Sequence, residues 1–405
     1  MSNEKMKLKE YLPIILLIFP FFSNYYQVIN KGVYYIFIIW KIYVFLFLIM
    51  KVIKKIYPRC EYYIVALMIW MGIYTFSTVV GTGTSLFKLL GYIMTCFSTC
   101  FVLYYYIYIK KEPKKTMYAL LIAFRIQVYI NFILMILYPE GIAVSRSAYR
   151  TEVFRYNFIG LDNQICPYIL TLLAFSAFYS VHYGFKKKYE KWLDIIVCIV
   201  SFILLESATG FLGLLVYGLV CCLMKYGRKL FTIRRLLFVV ILVTISVLFI
   251  RQLSVFSEIF SLFGKDITLS GRVYIWQSAI TTALKKPIWG YGMTIENIVY
   301  YPLMRDYRSA HDEYLQIILN GGIIAFLAFI YVVRCAIKEY LSMNNKKEYI
   351  ALMAGLLGLL IMMITETYVQ MVCFFYLISA IYYMAKYENN YVSRREIKNE
   401  LKKFY

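Results

Sequence analysis

Residues 314–334 read YLQIILNGGIIAFLAFIYVVR, an apolar run whose one charge is its last residue, Arg334. A helix of about twenty apolar residues crosses the roughly 30 Å hydrocarbon core of a bilayer, where every backbone polar group has to be satisfied internally. Hydrophobic residues make up 62% of the 405 residues, and similar runs recur along the chain. The sequence therefore predicts a membrane protein with many helical spans.

The apolar runs predict about twelve transmembrane helices. Their approximate bounds are residues 11–29, 33–50, 61–80, 86–109, 117–138, 163–184, 192–206, 209–224, 236–254, 314–334, 349–366 and 368–386. The seventh and eighth runs are short and share the hairpin 206–210, which is compatible with tilted or re-entrant helices. The first run lacks a small-residue cleavage site, which favours a retained helix over a cleaved signal. We expect an all-α integral membrane protein, with residues 1–405 forming a single polytopic domain.

Lysine and arginine alternate between the two sides of this predicted bundle. Short basic segments occupy every second loop, at residues 5–9, 51–59, 110–115, 186–191, 225–235, 334–347 and 386–403. Basic residues in short loops are retained on the cytoplasmic side, so both termini are predicted to be cytoplasmic. The formal net charge of +22 is spread over these loops rather than gathered in one folded patch, which disfavours nucleic-acid binding.

Arginine is preferred to lysine on the opposite, outer side. The outer arginines are Arg146, Arg150, Arg155, Arg251, Arg272, Arg305 and Arg308. A guanidinium group matches phosphate oxygens with a planar fork of donors and is easier to desolvate than an ammonium group. Because the topology rule disfavours these positions, they indicate a phosphorylated ligand on the outer face. For Arg146, Arg150 and Arg251, anchoring at lipid headgroups is an equal alternative.

The longest polar interruption, residues 251–313, is predicted to be an extracytoplasmic catalytic loop between the ninth and tenth helices. Within it, apolar residues recur at helical spacing before Pro287, at Val273, Trp276, Ile280 and Leu284. This pattern predicts a short amphipathic helix that lies in the membrane interface with Trp276 at headgroup depth. Arg272 would project from the first turn of that helix.

The segment His311-Asp312-Glu313 opens the tenth helix, close in sequence to Arg305 and Arg308. Backbone donors at a helix amino end attract anions, and an imidazole ordinarily changes charge near neutral pH. His311 could therefore accept the proton of an attacking sugar hydroxyl while arginines hold a phosphorylated leaving group. The alternative is a histidine that serves as an interfacial anchor or helix cap.

Several motifs resemble one family. They are SGRVYIWQSAI at 270–280, KKPIWGYG at 285–292, HDEYLQIILNGGIIAFL at 311–327, RYNFIGLDNQ at 155–164 and ESATGFLGLLV at 206–216. Their order and spacing resemble the O-antigen ligase and Wzy-type polysaccharide polymerase superfamily. The likeness extends over most of the chain and includes the expected number of spans and the large outer loop.

This resemblance implies a GT-C-like glycosyltransferase of the bacterial cytoplasmic membrane that needs no metal or other cofactor. It implies that Arg272 and Arg155 bind the diphosphate of an undecaprenyl-linked glycan and that His311 is catalytic. The chain departs from the family pattern at Asp312, where asparagine is usual. A carboxylate there could pair with Arg305 or Arg308 and take part in substrate binding, as could Glu313. The sequence leaves the proton acceptor open among His311, Asp312 and Glu313.

Two classes of function remain open. The first is polymerisation of undecaprenyl-diphosphate-linked repeat units into capsular, exopolysaccharide or O-antigen polymer, with ligase-like transfer of a glycan to another acceptor as its variant. The abundance of Lys, Ile, Tyr and Asn indicates an AT-rich genome, which is common among bacteria that build capsules and exopolysaccharides, and this favours the polymerase. The second is a transporter or flippase, which is disfavoured because paired broken helices and a midplane charge cluster are not evident. Candidate partners are the lipid-linked oligosaccharide, membrane lipid, a chain-length regulator and a flippase.

Other residues give weaker indications. The nine cysteines form no Cys-x-x-Cys pair and are interpreted as apolar packing residues. The main charged residues within predicted spans are Lys41, Arg125, Glu206 and Glu366, and of these Glu206 and Glu366 lie near outer ends, where they could border a cavity. The other two, Lys41 and Arg125, are predicted to snorkel or pair. Four tyrosines of the outer loop could stack on sugar rings, namely Tyr291, Tyr300, Tyr301 and Tyr307.

Overall fold

The computed structural model describes most of the chain. The described residues are 8–22, 30–56, 61–146, 153–226, 235, 238, 272–302, 305–343, 347–368 and 371–404. The predicted ninth span, apart from residue 238, lies outside this part of the chain. So do Arg150, Arg251 and the first twenty residues or so of the predicted catalytic loop.

The described chain is mostly helical. Its helices are α1 (Leu8–Ile18), α2 (Lys31–Ile56), α3 (Tyr62–Val80), α4 (Leu86–Leu103), α5 (Pro113–Leu137), α6 (Asp162–His182), α7 (Tyr189–Leu205), α8 (Ala208–Tyr226), α9 (Arg272–Lys285), α10 (Glu313–Ser342), α11 (Ile350–Met362) and α12 (Val372–Phe404). A 3-10 turn, Phe19–Phe21, extends α1, and a π-helical segment, Tyr104–Ile109, extends α4. A second 3-10 turn, Lys347–Tyr349, precedes α11.

Each predicted span except the ninth overlaps at least in part with one of these helices. In the described residues, seven helices are long and apolar enough to cross a membrane, namely α2, α3, α4 with its π-helical extension, α5, α6, α8 and α10. This agrees with the predicted helical integral membrane protein. The short seventh and eighth runs form α7 and α8, which join through Glu206 in a left-handed backbone conformation.

Two small β-hairpins were not predicted. Strand β1 (Ala143–Arg146) pairs antiparallel with β2 (Val153–Tyr156), and β3 (Val299–Tyr301) pairs antiparallel with β4 (Asp306–Arg308). Strands of three or four residues are too short for an alternating pattern to be recognised in sequence. Both hairpins occur in loops that were predicted to be on the outer side, and they carry Arg155 and Arg308.

The loops that were predicted to share a side meet at a common end of the bundle. At one end, here called the site end, the loop after α3 pairs with the loop after α9 through Thr84 and Thr294. At the opposite, basic end, Tyr62 donates to Glu339 and Lys386 to Glu61. This grouping agrees with the loop alternation read from the lysines and arginines, while the assignment of the basic end to the cytoplasm stays a prediction.

Helix α9 confirms the helix that was predicted between Arg272 and Pro287, but the face that it buries differs from the predicted one. Ile275, Trp276, Ala279 and Ala283 are buried, whereas Leu284 is exposed. Trp276 packs inside a small core with Val299, Tyr301 and Leu319, and its depth in the membrane stays a prediction. The buried face differs because two small alanines, which add little to an apolar pattern, allow α9 to approach its neighbours closely.

The turn after α9, residues 287–292, packs against a kink in α10 at Gly322. Gly322 has φ +69° inside α10, and a Cβ atom there would lie 1.9 Å from the carbonyl oxygen of Ile288. Tyr291 N–H donates to Leu319 O at 2.7 Å, and Ile323 N–H donates to Pro287 O at 2.8 Å. The backbone groups that the kink frees are thus satisfied by residues 287–292, which fixes α9 against the first turns of α10.

Candidate active site

Glu366 is the centre of a polar cluster at the site end. It lies in the loop between α11 and α12 and is buried. Its Oε1 lies 3.0 Å from His311 Nδ1 and accepts from the backbone N–H of Thr367 at 3.2 Å. Its Oε2 accepts from Arg272 Nη2 at 3.2 Å and from Asn163 Nδ2 at 3.1 Å. We call Glu366, His311, Arg272 and Asn163 the Glu366 cluster.

The charge of Glu366 determines which nitrogen of His311 is available. Burial on its own raises the pKa of Glu366, but the hydrogen bond from His311 and the charges of His311 and Arg272 outweigh it and hold that pKa below its ordinary value. The carboxylate is therefore ionised and can only accept, so Nδ1 of His311 carries the hydrogen. In the described residues Nε2 has no hydrogen-bond partner, and 29% of the His311 side chain is exposed.

The backbone around His311 is held in a conformation that suits this geometry. His311 has φ +46°, a left-handed conformation that costs a non-glycine residue about 1 kcal/mol or more. Its carbonyl oxygen accepts from the indole N–H of Trp276 at 3.3 Å. The next residue, Asp312, is the N-cap of α10 and accepts from Leu315 N–H at 2.9 Å. These two contacts hold the imidazole over Glu366.

Arg272 is the first residue of α9, as predicted. Its Nη1 donates to the carbonyl oxygen of Thr365 at 2.5 Å, next to the ion pair with Glu366. The side chain is 21% exposed. A guanidinium group has five N–H donors, so donors remain for a ligand that approaches from the open side. Arg272 and His311 thus share one carboxylate while each keeps some exposure.

Asp312 and Glu313 are occupied by backbone contacts. Asp312 is fully buried; its Oδ1 caps α10 and its Oδ2 has no hydrogen-bond partner in the described part of the chain. Burial raises the pKa of Asp312 to about 7. Glu313 accepts from the backbone N–H of Tyr368 at 2.7 Å. The suggested pairing of Asp312 with Arg308 is not formed, because Arg308 pairs with Asp306 at 3.0 Å.

The remaining predicted arginines surround the cluster rather than joining it. Arg308 lies on β4, paired with Asp306 and stacked over the ring of Tyr301 at 5.1 Å. Arg305 is exposed at the tip of the same hairpin, and Arg155 is exposed on β2. In the residues that the structure describes, none of these three forms an ion pair with Glu366. Their predicted contact with substrate stays a prediction.

The four tyrosines of the predicted outer loop divide into two groups. Tyr300 and Tyr307 face each other across β3 and β4, with ring centroids 5.5 Å apart, and both are exposed. Tyr301 is buried beneath them, and Tyr291 donates its hydroxyl to Thr282 O at 3.0 Å. The first pair is thus open to a ligand, whereas the second pair serves packing.

Sequence reasoning proposed His311 and Arg272 as site residues but missed that both contact Glu366. Glu366 was noted as a carboxylate near an outer helix end, and Asn163 occurs in a motif that was quoted for the resemblance. Glu366 follows His311 by 55 residues and Asn163 precedes Glu366 by 203 residues. A pairing at such separations depends on helix packing. The usable signal was a carboxylate at a span end, a costly position that usually has a partner.

The second histidine, His182, lies at the basic end. Its Nδ1 bonds to Glu348 and its Nε2 to Glu388 at 2.9 Å. In the described residues these three side chains form the one group with the donor types and spacing of a metal site. They do not contact the Glu366 cluster.

Comparison with known proteins adds independent information. Residues 195–330 match the family described as O-antigen ligase, a region that includes Arg272 and His311 but neither Asn163 nor Glu366. A protein of Rickettsia conorii that is provisionally named a polysaccharide ligase is 24% identical over 220 residues. The alignment covers 51% of this chain and 52% of that protein, so the chain spans about half the length of this relative. The resemblance to the O-antigen ligase and Wzy-type polymerase superfamily that the motifs indicated is thereby confirmed.

Proposed function

We propose that this chain is a membrane glycosyltransferase that polymerises undecaprenyl-diphosphate-linked oligosaccharide repeat units on the outer face of the cytoplasmic membrane. The product would be a capsular, exopolysaccharide or O-antigen polymer. The observation that carries the proposal is the arrangement of His311 and Arg272 on one buried carboxylate, with Nε2 of the imidazole left open. The match of residues 195–330 to the O-antigen ligase family supports the reaction class.

The chemistry follows from the state of His311. Its Nε2 takes the proton from a hydroxyl of the acceptor glycan as the acceptor oxygen bonds to the anomeric carbon of the donor glycan. The bond from that carbon to the diphosphate oxygen breaks, and the electron pair stays on the diphosphate. Glu366 stabilises the imidazolium that forms, because it accepts from Nδ1 throughout.

The leaving diphosphate requires positive charge near the reacting carbon. The free donors of Arg272 supply it from within the cluster, and Arg155, Arg305 and Arg308 supply it from the surrounding loops. Arg308 would have to exchange its contact with Asp306 for a phosphate oxygen. Since arginines provide this charge, the proposed reaction uses no metal, and turnover of the purified protein should persist in the presence of a chelator.

Asp312 and Glu313 fit a supporting role better than direct contact with substrate. Both are buried, and each carboxylate accepts from a backbone N–H group that shapes the start of α10 or the loop before α12. This leaves His311 as the side chain best placed to accept a proton. The backbone groups at the kink in α10 bond to residues 287–292 and do not line a ligand cavity. A transporter is expected to bind its substrate at such a broken helix, so this arrangement favours an enzyme.

The second candidate function is ligation of a finished glycan to another acceptor. The name of the Rickettsia relative favours it. Both reactions would use the same donor and the same proton acceptor, and they differ in the acceptor alone.

The experiment that tests the proposal uses a deletion strain of the source organism. Purified protein would be incubated with the undecaprenyl-diphosphate-linked oligosaccharides extracted from that strain, and the products separated by size. A ladder of repeat units supports the polymerase, and loss of the ladder in the His311→Ala protein supports the site. Product that forms only after a second acceptor is added would identify a ligase. Absence of glycan transfer under both conditions would overturn the enzyme assignment.

A further inference from the structure

Asn163 and Ser207 connect Glu366 to two helices that do not carry His311 or Arg272. Asn163 lies in the first turn of α6, and its Nδ2 donates to Glu366 Oε2 at 3.1 Å. Ser207 immediately precedes α8, and its hydroxyl donates to Asn163 Oδ1 at 2.6 Å. The same hydroxyl oxygen accepts from the backbone N–H of Gly210 at 3.2 Å. The chain of contacts therefore runs from the start of α8 through α6 to the carboxylate.

This chain of contacts determines how the amide of Asn163 is oriented. The oxygen of Ser207 accepts from Gly210, so its single hydrogen is free to be donated to Asn163. The ionised carboxylate of Glu366 can only accept, so the amide nitrogen of Asn163 faces it, and the amide oxygen that then faces Ser207 requires Ser207 to donate. The amide nitrogen then faces Glu366 as a donor. Ser207 thus holds the amide in the orientation that directs its nitrogen at the carboxylate.

The loop that carries Glu366 is also held by close packing of α8 against α11. A Cβ atom on Gly213 would lie 2.3 Å from the sulfur of Met362, and one on Gly358 would lie 2.9 Å from Gly213 O. At the end of this contact the hydroxyls of Thr209 and Thr365 are 3.0 Å apart. The small residues of the ESATGFLG segment therefore bring α8 to within hydrogen-bond distance of the residue next to Glu366.

We propose that Asn163 and Ser207 are positioning residues that keep one oxygen of Glu366 directed at His311. The inference rests on the proposed function, in which Glu366 has to accept from Nδ1. A guanidinium group favours a carboxylate that presents both oxygens to it. Asn163 shares Oε2 with Arg272, and this holds the carboxylate in the rotation that leaves Oε1 for His311. Without Asn163, Arg272 can take both oxygens and leave the imidazole unsupported.

The test compares turnover of purified variants on the extracted lipid-linked oligosaccharides. Asn163→Ala should lower kcat roughly 10- to 100-fold, the effect of one hydrogen bond to a charged group, and leave KM nearly unchanged. Asn163→Asp should lower kcat further, because a second carboxylate repels Glu366. If Asn163 served packing alone, Asn163→Ala would have the lower kcat of the two variants. Aspartate has nearly the shape of asparagine, whereas alanine leaves a cavity.

Ser207 variants supply the second arm. Ser207→Ala should lower kcat because the amide can rotate, and Ser207→Thr, which keeps the hydroxyl, should restore it. Ser201→Ala in α7 is the matched control, since that buried hydroxyl has no hydrogen-bond partner in the described residues. Wild-type kcat in both Asn163 variants, alongside inactive His311→Ala, would overturn the positioning role and leave the proposed function intact. Unchanged turnover in His311→Ala as well would overturn both.

Discussion

The chain has two histidines, and the side chains of both contact glutamate carboxylates. They differ in the number of ring nitrogens that remain without a hydrogen-bond partner in the described residues. His182 at the basic end has both ring nitrogens bonded to carboxylates, those of Glu348 and Glu388, and its side chain is 14% exposed. His311 at the site end has one nitrogen bonded to Glu366, and its side chain is 29% exposed. Bonding of both nitrogens to carboxylates requires an imidazolium, because each nitrogen must donate. His182 therefore has no free site for a proton, whereas His311 does.

This difference teaches that a carboxylate beside a histidine does not by itself indicate catalysis. One carboxylate orients the ring and leaves a lone pair on the far nitrogen, which is what a general base needs. Two carboxylates, as at His182, bond to both nitrogens. The resulting ion pairs connect α6 to α12 through Glu388 and to the segment before α11 through Glu348. His311 is thus suited to chemistry and His182 to structure.

The largest expected loss, apart from that of His311 itself, comes from Glu366→Gln. The amide keeps the shape of the side chain but removes the charge that orients Nδ1 and stabilises the imidazolium. Turnover should fall about 10³-fold or more, by analogy with a catalytic triad that has lost its carboxylate. Initial rates on lipid-linked oligosaccharide measure this. Glu366→Asp is the control that keeps the charge, and near-normal activity of the glutamine variant would show that the charge is not needed.

Arg272→Lys should cause the next largest loss. Lysine keeps the charge but cannot bond to Thr365 O, Glu366 and a phosphate oxygen in one plane. We expect at least a 100-fold decrease in kcat/KM with normal membrane insertion. Glycan ladder length in complemented deletion cells and expression of the protein in the same membranes measure the two quantities. Full-length ladders from this variant would contradict the role of the guanidinium group.

The sequence predicted most helices but not the contacts between side chains that are distant in sequence. Apolar runs predicted where helices lie because crossing a bilayer requires length and hydropathy, which are local properties. The buried face of α9 was misplaced because Ala279 and Ala283 contribute little to an apolar pattern although they pack tightly. The contacts of Glu366 with His311 and Asn163 arise from the packing of α6, α8, α10 and α11 at the site end. A single sequence gives no signal for such distant pairs, whereas His311 and Arg272 became candidates because their charges lie in a loop that was predicted to be on the outer side.

The contrast between the histidines predicts a small effect on turnover for His182→Gln. The substitution removes a cation from between two carboxylates, so the thermal stability of the purified protein should decrease. Its kcat should remain within about twofold of wild type, because His182 does not contact the Glu366 cluster. Thermal unfolding in detergent and initial rates measure the two effects. A catalytic loss comparable to that of Glu366→Gln, with normal stability, would remove the distinction between the two histidines.

Asp312→Asn should have the smallest effect on activity and change the pH dependence of stability. The folded protein holds the Asp312 proton up to a pH of about 7, well above the value of 3.8 for an exposed aspartate. Protonation of Asp312 therefore raises the free energy of unfolding at low pH. This contribution decreases as the pH rises from about 4 to 7, by at most about 4 kcal/mol. Asparagine keeps the cap on Leu315, so the variant should gain stability over wild type at pH 8 but not at pH 4. An equal difference in the free energy of unfolding between Asp312→Asn and wild type at both pH values would contradict a buried, protonated Asp312.

The rate of glycan transfer by purified His311→Ala, measured beside wild type and His182→Gln on the same lipid-linked oligosaccharide, tests the central claim most directly. With Nε2 of His311 as the proton acceptor, transfer should fall at least about 10³-fold in His311→Ala, while its thermal unfolding stays close to that of wild type. His182→Gln should transfer glycan at nearly the wild-type rate. A wild-type rate from folded His311→Ala protein would contradict the account.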